Sequence, residues 1–173
     1  YDKTTKISNS SFIIDKLPSN FRWVGFIIKA FPEAKIIHIE RNPMAVCWSN
    51  YKNFFLDNGL DFNLTQKDVA KYYSMYSHLM DFWNTKYKNK IFNVNYEIFV
   101  KNFEENSKKI LNYLDLKWED QLLEYQKTNR PVRTASHQQV REKINKNTSE
   151  KWKIYSNYLK VMQETLTTFN IIY

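Results

Sequence analysis

The chain reads as an α/β fold built on a parallel sheet, and three observations predict it. Short apolar runs of strand length occur at Ser11–Asp15, Lys35–Glu40 and Ile91–Tyr96. Between and after them, apolar residues recur at helical spacing. Helix-start signals, Asn42-Pro43 and Thr65 with Asp68, punctuate the alternation. Alternating strands and helices imply strands linked by crossovers, hence a parallel sheet.

The elements follow in order. After the first run, Phe21, Val24, Ile27, Ile28 and Phe31 mark Ser19–Phe31 as a helix with Gly25 inside it. The second run, Lys35–Glu40, ends on Arg41, and Asn42 caps a helix over Pro43–Leu56 with Ser49 two turns in. A polar turn spans Asp57–Asn63 and includes Gly59. Thr65 caps a long helix, Gln66–Tyr87, with Asp68 as its capping-box partner. The third strand leads into Glu97–Leu114, and Glu119–Thr128 is a short helix. Arg130–Asn147 is aperiodic and basic and reads as a long functional loop. Thr148–Phe169 is a closing amphipathic helix.

Composition narrows the function classes. The 173 residues suffice for one domain with a core, and 43% hydrophobic content argues against disorder. Lys+Arg 26 against Asp+Glu 18 gives +8, which suits nucleic acid, an anionic membrane or a small polyanion. The single cysteine, Cys47, excludes an internal disulfide and a cysteine-based zinc site, and suits a cytoplasmic, reducing setting. No run reaches membrane-span length. With only Gly25 and Gly59, the chain holds neither a GxGxxG loop nor a Walker loop.

Four clusters carry candidate chemistry. Asp15-Lys16-Leu17-Pro18 follows the first strand, and Arg41 through Ser49 joins a strand end to a capped helix. A guanidinium grips oxygen pairs and helix N–H groups point toward an anion, so this second cluster predicts a phosphate site. Arg130 to Arg141 contains Ser136-His137-Gln138-Gln139-Val140, and Glu150-Lys151-Trp152 opens the last helix. Taken singly, each has an ordinary reading: a solvated lysine, a capped helix, a mobile basic loop, a surface lysine beside a core tryptophan. His38 reads as a core or supporting residue, His78 as structural, and His137 as a weak candidate base.

Together, in this order, the clusters resemble sulfotransferases that use 3′-phosphoadenosine 5′-phosphosulfate (PAPS), nearest to the bacterial type often fused to tetratricopeptide repeats. Tyrosylprotein sulfotransferases look more distant. The likeness runs from about Phe12 to about Leu159. It implies that Arg41 and Ser49 hold the donor's 3′-phosphate, and that Lys16 lies by the transferring sulfuryl group. It further implies that Tyr96 approaches the nucleotide, that Ser136, Val140 and Arg141 wrap the donor, and that Lys151 contacts it. PAPS is then the co-substrate, PAP the product, and no metal is needed. The acceptor is a protein, carbohydrate or small molecule bearing a hydroxyl or amine.

The family's first strand and its Pro-Arg-Ser-Gly-Thr-type loop would precede Tyr1. The expectation is therefore a P-loop-type sulfotransferase core lacking that strand and loop: residues 1–173 as the C-terminal portion of one sulfotransferase domain, inactive alone, with tetratricopeptide repeats further upstream. Asn53 stands where tyrosylprotein relatives carry a basic residue, and Lys143 where a proline is common. Two alternatives remain: a non-catalytic PAP-binding module, and a basic nucleic-acid-binding domain. Against the latter, the lysines are spread along the chain without an aromatic-basic recognition motif.

Overall fold

A computed structural model describes residues 12–53, 61–127, 144–145 and 147–173. They fall into two compact units, Tyr1–Ala34 and Lys35–Tyr173. In the first, a 3-10 helix, Pro18–Trp23, runs into α1, Val24–Ala30, which buries Val24 and Gly25. The expected first strand does not form over its described residues: 12–17 are irregular, with Phe12 and Ile14 exposed. Strand geometry needs a covered face, and residues 12–17 are exposed throughout.

The second unit holds a parallel pair, β1 (Ile36–Glu40) and β2 (Ile91–Asn95), in register Ile36↔Ile91 through Glu40↔Asn95. Both strands match the sequence expectation in place. β1 is less buried than its apolar reading implied, since Ile39 and Glu40 are exposed at its carboxyl end; His38 and Glu40 share one face with Asn93 and Asn95. That polar face is met by the long helix α3. Ile37 and Phe92 lie on the other face, where Phe92 stacks on Tyr113, 4.9 Å between rings.

The helices follow from local signals. α2 is Pro43–Tyr51, shorter than expected; Asn42 Oδ1 accepts from Ala45 N–H at 2.9 Å. α3 is Gln66–Lys86, with Thr65 Oγ1 accepting from Asp68 N–H at 3.0 Å. The single helix expected after β2 is two, α4 (Tyr96–Lys101) and α5 (Phe103–Tyr113), broken at Asn102. Asp120–Lys127 is a 3-10 segment, as is Thr148–Tyr158, and only Lys160–Thr168, α6, is regular α-helix at the end.

Glycine scarcity has a visible remedy. Asn89, Asp115 and Asn170 take the left-handed conformation with φ of 68°, 58° and 58°. Asp115 and Asn170 follow helix ends, where Leu116 N–H reaches Leu111 C=O and Ile171 N–H reaches Leu166 C=O. Asn and Asp tolerate this geometry better than other non-glycine residues.

The core joins Met44, Ala45 and Cys47 of α2 to Val69 and Ala70 of α3, Trp152, Leu159, and Met162 and Leu166 of α6. Met44, Cys47, Ala70, Met162 and Leu166 have no exposed surface. α2 is thus clamped on several sides, and the residues just before it are fixed in space.

Candidate anion site and adjoining cleft

Arg41 leaves the carboxyl end of β1, where ligands gather in open α/β sheets. Its guanidinium lies over the Tyr96 ring, 4.9 Å from the centroid. Arg41 and Tyr96 each directly follow paired strand residues, so the two side chains share a face. Arg41 Nε donates to Ser149 Oγ at 3.0 Å, and Ser149 is only 4% exposed. The Tyr96 hydroxyl bonds Thr148 Oγ1 at 3.1 Å. Stacking and the Nε bond set the plane of the guanidinium; among the described residues no hydrogen bond or ion pair engages its terminal nitrogens.

The start of α2 contributes less than its sequence suggested. Asn42 takes the Ala45 N–H for itself, Pro43 has none, and Asn42 N–H donates to Glu97 Oε1 at 3.1 Å. The expected fan of open helix N–H groups is therefore partly closed by the cap itself, which leaves the guanidinium as the candidate anion-binding group here.

On the polar face of the sheet lies a cleft of about 600 Å³, lined by His38, Glu40, Arg41, Tyr73, Tyr76, His78, Asp81, Glu97 and the end of the chain, among others. His38 Nε2 lies 2.5 Å from the Tyr76 hydroxyl. His38 Nδ1 lies 2.9 Å from Asn93 Oδ1 and 3.4 Å from Glu40 Oε1. Asn93 Nδ2 donates to Asn84 Oδ1 at 3.0 Å. Tyr73 donates to the Arg41 carbonyl at 3.3 Å, so α3 also anchors the backbone of the arginine.

The hydrogen bond from His38 holds the Glu40 carboxyl below its ordinary value, against the opposing effect of burial. Burial pushes the Tyr73 and Tyr76 hydroxyls well up, helped for Tyr76 by the charges of Glu40 and Asp81. Burial likewise pushes the Cys47 thiol to about 12, so it is an inert packing group. Three carboxylates, Glu40, Asp81 and Glu97, face this cleft, which makes it a poor host for a polyanion.

The structure brings Arg41 and Tyr96 together, and Lys151 stands exposed two residues after Ser149. Ser49 is half-buried on α2, and its carbonyl accepts from Asn53 Nδ2 at 2.7 Å. Lys16 is exposed in the first unit. Ser136, His137, Val140 and Arg141 lie outside the described residues. Sequence reasoning missed Ser149, Thr148, Tyr73 and Tyr76. A signal existed for the tyrosines, because His38 and Glu40 at alternate positions demand polar company from whichever helix covers them. Thr148-Ser149 resembled an ordinary helix start and gave no such signal. His78, read as structural, is exposed at the cleft.

Among the described residues no group of three or more His, Cys, Asp or Glu is placed to hold a metal ion, and no helix is long and apolar enough to cross a membrane.

The mixed helices and small parallel sheet, with an arginine at a strand's carboxyl end, are compatible with an α/β sulfotransferase core. The model of the sulfotransferase family matches residues 1–120. The chain is 38% identical over 168 residues to an uncharacterized protein of Aquifex aeolicus (strain VF5), an alignment covering 95% of this chain and 22% of that protein. The chain belongs to the sulfotransferase family. It spans about a fifth of the length of the Aquifex relative.

Proposed function

We propose that this chain forms the C-terminal portion of one P-loop-type sulfotransferase domain, which with its phosphosulfate loop moves a sulfuryl group from PAPS to a hydroxyl or amine acceptor, releasing PAP. The observation that carries the reading is Arg41: tied at Nε, stacked on Tyr96, and presenting its terminal N–H pairs at a strand's carboxyl end. Such a fork suits the 3′-phosphate of PAPS. Ser49 on α2 adds a hydroxyl to that phosphate, and the Tyr96 ring approaches the adenosine. Lys151, Ser136, Val140 and Arg141 complete the donor's surroundings. Lys16 stabilises the charge that grows on the bridging oxygen as the sulfur–oxygen bond breaks.

The chemistry asks little covalent work of the protein. Sulfuryl transfer, like phosphoryl transfer, proceeds in line through a loose transition state, so catalysis comes from positioning and electrostatics. The acidic cleft beyond Arg41 is the acceptor side in this reading, since the donor is repelled from it and a neutral or cationic acceptor is not. Calorimetry with PAP tests the donor site. Arg41→Ala is expected to weaken binding by about 1.5–3 kcal/mol, the range for a hydrogen bond to a charged group. An unchanged affinity in a folded variant would remove the reading.

A further inference from the structure

The polar face of the sheet contains a second piece of machinery. His38 Nδ1 meets two acceptors, the Asn93 carbonyl oxygen and the Glu40 carboxylate, while the amide nitrogen of Asn93 is directed to Asn84. Nδ1 therefore carries the proton of the neutral ring, and Nε2 is the bare nitrogen. The Tyr76 hydroxyl, 2.5 Å from Nε2, is then the donor of that bond. The order Glu40, His38, Tyr76 runs from a carboxylate through an oriented imidazole to a hydroxyl at the cleft.

We propose that Tyr76 is the group that receives the acceptor's proton, passing its own to His38, with Glu40 and Asn93 as positioning residues. This rests on the sulfotransferase reading of the same site. As an acceptor O–H approaches, its hydrogen moves to the Tyr76 oxygen while the Tyr76 hydrogen moves to His38 Nε2. The electron pair left on the acceptor oxygen forms the new bond to sulfur. The bond from sulfur to the bridging oxygen breaks, and its electrons leave with the 5′-phosphate of PAP. His38 becomes an imidazolium whose Nδ1–H faces Glu40, and it returns its proton to water after product release. A free tyrosinate is not needed, which agrees with the upward displacement of the Tyr76 hydroxyl by burial. The lowered Glu40 carboxyl keeps the negative charge the imidazolium requires. Among the described residues, the titratable groups bonded to His38 are Glu40 from its own strand and Tyr76 from α3; Asn93 from β2 is neutral.

The test uses the full-length protein that carries this chain, radiolabelled PAPS, and three acceptors: p-nitrophenol, glucosamine, and a peptide bearing serine and tyrosine. Tyr76→Phe is expected to lower kcat by roughly 10²-fold or more, the size of a general-base contribution, with KM for PAPS unchanged. Glu40→Gln is expected to shift the pH profile of kcat, and nitrogen NMR of His38 to show the Nδ1-protonated tautomer. Full turnover by Tyr76→Phe with the parent's pH profile would overturn the proposal, as would an Nε2-protonated His38. Failure of the parent to transfer to any of the three while still binding PAP would also overturn it. Failure to bind PAP at all would instead sink the donor-site reading.

Discussion

Arg41 is held by two neighbours of different kinds, an aromatic face and a buried hydroxyl, and each fixes a different degree of freedom. The Tyr96 ring sets the plane, and Ser149 sets the rotation within it. Ser149→Ala removes the only described partner of Nε without adding bulk. It is expected to cost about 1 kcal/mol of stability, the net worth of one hydrogen bond. It should also weaken PAP binding less than Arg41→Ala does; urea unfolding and calorimetry measure the two effects. An affinity loss as large as that of Arg41→Ala would mean Ser149 itself binds the ligand. Arg41 was legible in the sequence because a strand end followed by Asn-Pro marks both the turn and the helix. Ser149 was not, because its bond spans more than a hundred residues and neither strand nor helix period encodes it.

At the scale of elements, the caps were legible and the edges of elements were not. Thr65 caps Asp68 N–H as its spacing announces, while the return bond runs from the Thr65 hydroxyl to Asp68 Oδ2 at 2.7 Å, side chain to side chain. Thr65→Ala is expected to lower stability by about 1 kcal/mol, and Thr65→Ser to restore most of it; thermal unfolding checks both. Equal stability of all three would show that the start of α3 is held by packing alone. The expected first strand does not form over residues 12–17 because apolar composition alone supplies no cover, and these side chains are exposed. The helix expected after β2 breaks at Asn102, whose non-helical ψ of 59° ends α4; apolar periodicity continues across it and hid the break. β1 kept its place yet proved amphipathic, and its polar side carries the His38 network.

The whole molecule couples that network to its stability. Tyr73 and Tyr76 are protonated in the fold at pH values where the unfolded chain has begun to ionise, and Cys47 behaves alike. A raised acid pKa makes the folded state bind more protons than the unfolded state, so stability falls as pH rises. The loss should begin near the ordinary cysteine and tyrosine values of 9.0 and 10.0. Glu40 acts on the other side: its depressed carboxyl contributes stability above the ordinary value of 4.5 that is lost as pH falls through its folded value. Denaturant midpoints measured across alkaline pH should decline for the parent and decline less for Tyr73→Phe. A flat parent profile would show these hydroxyls to be solvated.

The 3′-phosphate is the feature of the donor that the Arg41 site is proposed to read, so selectivity for it tests the account most directly. Calorimetric titration of the intact protein with PAP and with adenosine 5′-phosphate, which lacks that group, makes the comparison. The account predicts tighter binding of PAP by about 1.5–3 kcal/mol, with most of the difference abolished in Arg41→Ala. Equal affinity for the two nucleotides, or a preference for PAP that survives Arg41→Ala undiminished, would contradict it.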